Sequence, residues 1–512
     1  MFASVHGMAV SGIQAHLIRV EVDVSNGLPS FDIVGLPTTA VRESRERVRS
    51  AIKNSGFNFP LQRITVNLAP ADIKKDGSGL DLPIAVGILA ATGQCPLEKL
   101  AGMVFVGELS LEGQLRPVSG ALAMAVSLAQ LSPYALIVPH ENFPEANLIE
   151  EIRSGSAENL VQLVSVLHTD DLFSLPHTAS CPLTDSLIEL PCEETLDLCS
   201  IRGQQQAKRA LEIAAAGGHN ILLMGSPGSG KTMLAKAYAG ILPSLTRTES
   251  LEVTKIYSIA GLLGHNGQLI QSRPFRQPHH SATTAGILGG GRDLKPGELI
   301  LANHGVLFLD ELPEFSREVL ESLRQPLEDR ELTLTRQRGS VKYPARLSIV
   351  ASMNPCPCGW YGDPKRACIC TPRQISHYRN RISGPLLDRF DLHIEVPRVE
   401  FDELHRYSES ETSADVQNRV LKARRRQWIR LGESRTNAEM SAGETSTFCS
   451  LDSAGEQLLR NVFDRQHLSA RSHDRILRVA RTIADLDSKE NIFPLHLAEA
   501  LQYRALDRPT AY

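Results

Sequence analysis

No run of about eighteen apolar residues occurs in this 512-residue chain, so the sequence predicts no membrane-spanning helix. Residues 1–10 lack the basic start and long apolar stretch of a secretory leader. There is no excess of positive charge: 54 Lys and Arg face 58 Asp and Glu, for a net charge of −4. That balance excludes a globally basic nucleic-acid binder but leaves room for a local basic surface such as a pore lining. Internal repeats and low-complexity tracts are also lacking. Nine cysteines in a chain this long make no disulfide scaffold, and four of them fall between Cys356 and Cys370. Clustered thiols without a leader point to metal binding in a reducing compartment, and so to the cytoplasm.

What is present is ample material for cores: 42 % of residues are apolar and 22 % are charged. The length favours two or three domains. Residues 1–168 mix alternating strand-like stretches, at 17–23, 63–68 and 135–139, with helical spacing at 38–54 and 80–91. Residues 169–200 have little periodicity, three prolines and an acidic cluster, and are expected to form a linker. From 201 to 400 an amphipathic helix at 204–216 is followed by short apolar runs at 221–224, 306–309 and 347–352, with helical patterns between them. The simplest architecture is α/β, with a parallel, doubly wound sheet. From 401 to 512 the pattern is helical, clearest at 415–430 and 469–486, and suggests a small lid domain.

The segment Gly225-Ser226-Pro227-Gly228-Ser229-Gly230-Lys231-Thr232 matches the P-loop pattern at every fixed position, between a buried strand and a helix. Glycines let the backbone form a nest of N–H groups facing phosphate oxygens. Lys231 is placed to reach the β- and γ-phosphates, and the Thr232 hydroxyl to ligate magnesium. The helix beginning here adds its positive dipole end. The apolar run ending in Asp310-Glu311 delivers two carboxylates: Asp310 for Mg²⁺, Glu311 as general base on the attacking water. An acidic turn after a core strand is the plain alternative, made less apt by the paired P-loop. A third apolar run ends in Asn354, which is suited either to orienting the attacking water or to turning the chain before Pro355. Arg389 and Arg471 are candidate cations for the same chemistry. Spacing alone does not separate that role from a surface ion pair.

Cys356, Cys358, Cys368 and Cys370 form two Cys-x-Cys pairs nine residues apart, with Gly359, Gly362 and Pro364 to turn the chain between them. Four thiolates close a tetrahedral Zn²⁺ site and leave no position for a substrate, so the expected role is structural. Reduced, unliganded thiols or a redox pair are the alternatives. Residues 332–342 alternate and carry a Gly-Ser pair, predicting a hairpin turned at Gly339-Ser340. Its Arg336, Arg338 and Lys342 are candidates for DNA phosphate contacts or for a merely solvated basic hairpin. The basic run 422–426 is expected to be a solvated helix face.

The stretches Phe275-Arg-Gln-Pro-His-His280, Gly289-Gly-Gly291 with Pro296-Gly-Glu298, 305–313 and 385–390 together resemble the magnesium-chelatase-like AAA+ proteins of the ComM/YifB type, over nearly the whole chain. The resemblance implies a homohexameric ring that moves on single-stranded or branched DNA. It also implies branch migration of recombination intermediates during natural transformation, with recombination proteins as a further partner class and no membrane partner. By motif position it assigns Arg389 as arginine finger, Asn354 as sensor 1 and Arg471 as sensor 2, touching the γ-phosphate from above. It implies an insertion within 254–304, carrying Arg292 and Lys295, and a cysteine cluster after sensor 1. A protein-remodelling or chelatase-type ATPase acting on a protein client is the other reading. Residues 74–82 and 107–117 resemble the proteolytic domain of Lon, whose serine and lysine positions fall here on Gly79 and Leu122. The likeness therefore implies a scaffold that has lost its Ser–Lys dyad, with Ser78 one place off.

Overall fold

The computed structural model describes residues 1–512 except 37–38, 74, 76, 132, 170–195, 264–266, 292–294, 337–338, 400–410, 467–468 and 505–512. Most of the expected linker, Arg292 and Arg338 therefore lie outside the described residues.

The N-terminal region is built on a seven-stranded mixed sheet. Its order is Ser30–Val34, Arg63–Ala69, Gln14–Ser25, Phe2–Ser11, Met103–Phe105, Ala135–Pro139 and Arg153–Ala157. The helix Asp81–Ala91 is buried along its whole length and lies on the two longest strands. It approaches closely because Gly87 has no side chain: a Cβ there would come 2.7 Å from Val22 Cγ2. At the helix start the buried Asp81 carboxylate accepts from Arg47 Nε at 2.7 Å. Burial raises the Asp81 pKa, against the pull of that guanidinium.

The Lon-like motif sits beside this helix. Leu122 is fully buried in an apolar cluster with Val104 and Val106. The Ser78 hydroxyl donates to the Glu108 carboxylate, and Lys75 Nζ donates to the Pro70 carbonyl. Ser78 thus faces a carboxylate, which is the partner of a positioned hydroxyl rather than the amine a Ser–Lys nucleophile needs.

The second sheet has five strands, all parallel, in the order Phe275–Arg276, Val306–Leu309, Ser348–Met353, Ile221–Met224, Leu392–Glu395. Three of these strands are buried at every residue, which explains their unbroken apolar runs. Helices Gln205–Gly217 and Lys231–Ile241 pack on one face. Polar ties fasten the later helices to the helix Gln205–Gly217. On helix Ser413–Leu431, Arg424 donates to the Ala215 carbonyl at 3.0 and 2.8 Å, and Gln427 to that of Ala216. The expectation of a solvated basic face at 422–426 is corrected in part: Lys422 and Arg425 are exposed, but Arg424 is buried as a strut. No described helix is long and apolar enough to cross a membrane.

The expected hairpin forms from Glu331–Arg336 and Gly339–Pro344, with Arg336 opposite Gly339. Gly339 and Ser340 belong to the returning strand, so the Gly-Ser pair is not the turn. The expected insertion region holds short helices Thr284–Leu288 and Glu298–Leu301 around a two-stranded ribbon, Gly289–Gly290 with Lys295–Pro296. Apolar packing joins the two sheets' regions: Ile13, at the tip of the first hairpin, packs against the same core cluster as Leu334 and Val341. A Cβ at Gly12 would collide with Val341.

Candidate functional site

Parallel strands present their carboxyl ends on one edge of a sheet, where loops and helix N-termini meet. In this sheet the P-loop follows Ile221–Met224, Asp310 and Glu311 follow Val306–Leu309, and Asn354 follows Ser348–Met353. Neighbouring strands thus bring together residues far apart in sequence.

Gly228 and Gly230 adopt φ of 77° and 90°, conformations that side chains rarely take. Gly225 has a different constraint, since a Cβ there would lie 2.7 Å from Ser229 Oγ and still closer to the Val396 carbonyl. The Lys231 ammonium donates to the carbonyls of Gly225 at 2.8 Å and Ser226 at 3.1 Å, and to Asn354 Oδ1 at 3.2 Å. Burial lowers its pKa, opposed by Asp310 and Glu311. Thr232 Oγ1 donates to Asp310 Oδ2 at 3.3 Å. Ser352, which the sequence did not single out, donates its hydroxyl to Asp310 and accepts from the Glu311 N–H at 3.2 Å. Glu311 takes φ of 54°, a strained value for a non-glycine residue, and its carboxylate is half exposed. His280, which ends one of the stretches carrying the resemblance but was given no role there, has its Nδ1 3.7 Å from Glu311 Oε2, and its ring lies tilted beside that of His279, with centroids 4.1 Å apart.

The site fits a magnesium nucleotide. Ser229 Oγ is buried within the loop and has no hydrogen-bond partner, as expected of a group awaiting a polar ligand. Thr232 and Asp310 offer the paired hydroxyl and carboxylate that would hold Mg²⁺. A cavity of about 380 Å³ opens beside Gly228, Ser229 and Gly230.

Arg389 and Arg471 are elsewhere. Both line a separate cavity of about 400 Å³, together with Arg330, Arg475 and Arg478, and it shares no lining residue with the P-loop cavity. Arg389 is buried, donating to the Glu328 carboxylate and to the Pro385 carbonyl at 3.1 Å. Arg471 Nη2 lies 3.9 Å from the other Glu328 oxygen. Helix Ala470–Leu486 thus carries Arg471, the residue expected to touch the γ-phosphate, to the cavity it shares with Arg389.

The four cysteines converge, with all four Sγ atoms within 4.8 Å of one another. Cys356, Cys358 and Cys368 are 3.4 to 3.6 Å apart, close to the roughly 3.8 Å edge of a tetrahedron with Zn–S bonds near 2.3 Å. Desolvation opposes ionisation of Cys358, but N–H bonds from Trp360 and Ile369 bring its thiol down to about 6. The set suits a soft, closed metal site. Protein purified without chelator is expected to carry close to one equivalent of zinc by elemental analysis. Cys368→Ser should remove most of it and lower the melting temperature by several degrees.

On the hairpin, Lys342 Nζ lies 3.6 Å from Glu331, so that cation is partly neutralised by its own sheet neighbour. Arg336 ends its strand beside the reversal; Arg338 is outside the described residues.

A nucleotide-type loop, an acidic strand end and a polar strand end, side by side on a parallel sheet, define a P-loop ATPase of the AAA+ class. Comparison with known proteins narrows this. The family model for magnesium chelatase, subunit ChlI, matches residues 197–404. Those for the ChlI subunit of Mg-chelatase and for the ChlI C-terminal part match 20–142 and 410–504. The chain is 46 % identical to competence protein ComM of Haemophilus influenzae, over 99 % of this chain and 98 % of that one. It is 45 % identical to the uncharacterized protein YifB of Escherichia coli, over 98 % and 97 % respectively. A Lon protease of Mycoplasma mobile is 22 % identical over 33 % of this chain and 20 % of its own length. The chain belongs to the ComM/YifB family of magnesium-chelatase-like proteins, whose AAA+ core is of the ATP-hydrolysing kind.

Proposed function

We propose that this protein is a ring-forming, cytoplasmic ATPase that drives DNA strands past one another, with a doubly wound AAA+ core and a helical lid. Branch migration or unwinding of recombination intermediates is the activity favoured. The observation that carries the reading is the division of the catalytic parts. Around the P-loop Lys231 is hydrogen-bonded to Asn354 and Thr232 to Asp310, while Arg389 and Arg471 line a cavity to which none of these four contributes. A complete site then needs the arginine cavity of one subunit against the P-loop of the next, as in a closed ring.

Within such a site the roles follow from chemistry. Lys231 leaves its loop carbonyls for the β- and γ-phosphates of ATP. Thr232 and Asp310 hold Mg²⁺, which neutralises phosphate charge when bound. Glu311 takes the proton of the attacking water, and Asn354 orients that water. Arg389 of a neighbouring subunit meets the charge that develops on the γ-phosphoryl oxygens.

The DNA reading draws on the hairpin and on kinship with a protein named for competence. The test is ATP turnover with and without single-stranded DNA and a four-way junction, alongside strand exchange on that junction. Stimulation and branch movement are expected. Arg336→Ala with Arg338→Ala should weaken DNA binding at low salt by about tenfold, through loss of two phosphate contacts. Turnover indifferent to DNA, with no junction movement and a protein captured in its place, would establish the remodelling reading instead.

A further inference from the structure

The cysteine loop does more than close on itself. It leaves the sheet immediately after Asn354 and returns along the P-loop. Gly359 adopts φ of 83° and lies flat against Pro227; a Cβ on it would come 2.6 Å from Pro227 Cδ. Next in the chain, Trp360 has two cations at its ring: Arg366 at 4.4 Å from the ring centroid and Arg398 at 5.1 Å. Arg398 follows the edge strand Leu392–Glu395, so the indole ties the loop to the sheet's far edge.

Lys365, from the middle of the loop, and Arg398 both line the cavity formed by Gly228, Ser229 and Gly230. Both side chains are exposed, and among the described residues neither has a carboxylate within ion-pair distance. Most arginines around the other cavity are paired: Arg389 with Glu328, Arg330 with Glu439, and Arg475 with Asp391. Two unpaired cations at the rim of a phosphate nest are complementary to a polyanion. The four thiols, meanwhile, fix the two ends of the segment that carries Lys365.

We propose that the cysteine loop is a wall of the nucleotide site, with Lys365 and Arg398 contacting the bound nucleoside triphosphate. A metal held by Cys356, Cys358, Cys368 and Cys370 then sets nucleotide affinity by fixing the wall. This deepens the ATP reading above and rests on it. The linkage runs both ways, since a wall ordered by metal strengthens nucleotide binding and bound nucleotide must strengthen metal retention equally.

The experiment is a titration of the full-length, zinc-loaded protein with a fluorescent N-methylanthraniloyl ATP in Mg²⁺, at low and high salt. The Lys365→Ala, Arg398→Ala double variant should bind about tenfold more weakly at low salt, with the difference shrinking as salt screens the charges. Lys365→Ala alone should give part of that loss, and Lys365→Arg should restore it. Stripping zinc with a chelator should weaken the wild type by a comparable factor and the double variant by much less, as coupled contributions do. Equal affinity of wild type and double variant at low salt overturns the contacts. A double variant that loses as much on stripping as the wild type overturns the link between metal and wall. A wild-type protein that takes up no nucleotide at all overturns the ATP site itself, a result distinct from both.

Discussion

Lys231→Ala is expected to lose ATP turnover by roughly 10²–10³-fold or more, the usual scale for deleting one charge-stabilising donor. The fold should survive. The lysine begins the helix Lys231–Ile241, where alanine is an equally good helix former. Its hydrogen-bond partners are two loop carbonyls and Asn354 Oδ1, and water filling the space of the lost side chain can serve them. Nucleotide binding should weaken too, because charge-assisted bonds to phosphate contribute about 1.5–3 kcal/mol, or about ten- to a hundredfold in affinity. The check is turnover and nucleotide affinity measured beside circular dichroism and a melting curve. A variant that melts like wild type and still hydrolyses ATP at a wild-type rate removes Lys231 from the chemistry.

Arg389→Ala should cut turnover by about 10³-fold, the lower end of what an arginine finger contributes, while leaving nucleotide affinity nearly unchanged. The contrast arises because Arg389 does not line its own chain's P-loop cavity. A mixing experiment reads this directly. In a ring of Lys231→Ala and Arg389→Ala subunits, some interfaces pair an intact P-loop with an intact arginine. Two inactive preparations should therefore regain activity on mixing. Failure to regain any, in rings shown to exchange subunits, would return Arg389 to a structural role with Glu328.

Most of the nucleotide site was legible in the sequence because its constraints are local. Gly225, Gly228 and Gly230 are demanded by backbone conformation and close approach, and such demands show as residue type at fixed spacing. Asp310 and Asn354 were legible because a fully buried parallel strand is an unbroken apolar run with a polar end. What was not legible depends on how elements are aimed. The placement of Arg471 beside Arg389 was not legible, because nothing in helix spacing says which cavity a packed helix faces. Lys365 and Arg398 fit no motif, since their common feature is a shared cavity wall and a shared indole. Strand Phe2–Ser11 also escaped notice, because Gly7 and the run Met8-Ala9-Val10 interrupt its alternation. The hairpin was foreseen but its reversal was misplaced, since the Gly-Ser pair is a plausible turn and only register excludes it.

The packing of Ile13 against the core cluster that Leu334 and Val341 also join has a mechanical consequence. Apolar side chains pressed together resist separation, and with Gly12 seated closely on Val341 the first domain's tip is tied to the hairpin. Any stroke that swings the hairpin must either carry that tip along or expose three apolar side chains to water. If the hairpin moves as the proposed function requires, the N-terminal domain is expected to follow it, and trimming Ile13 to loosen that tie.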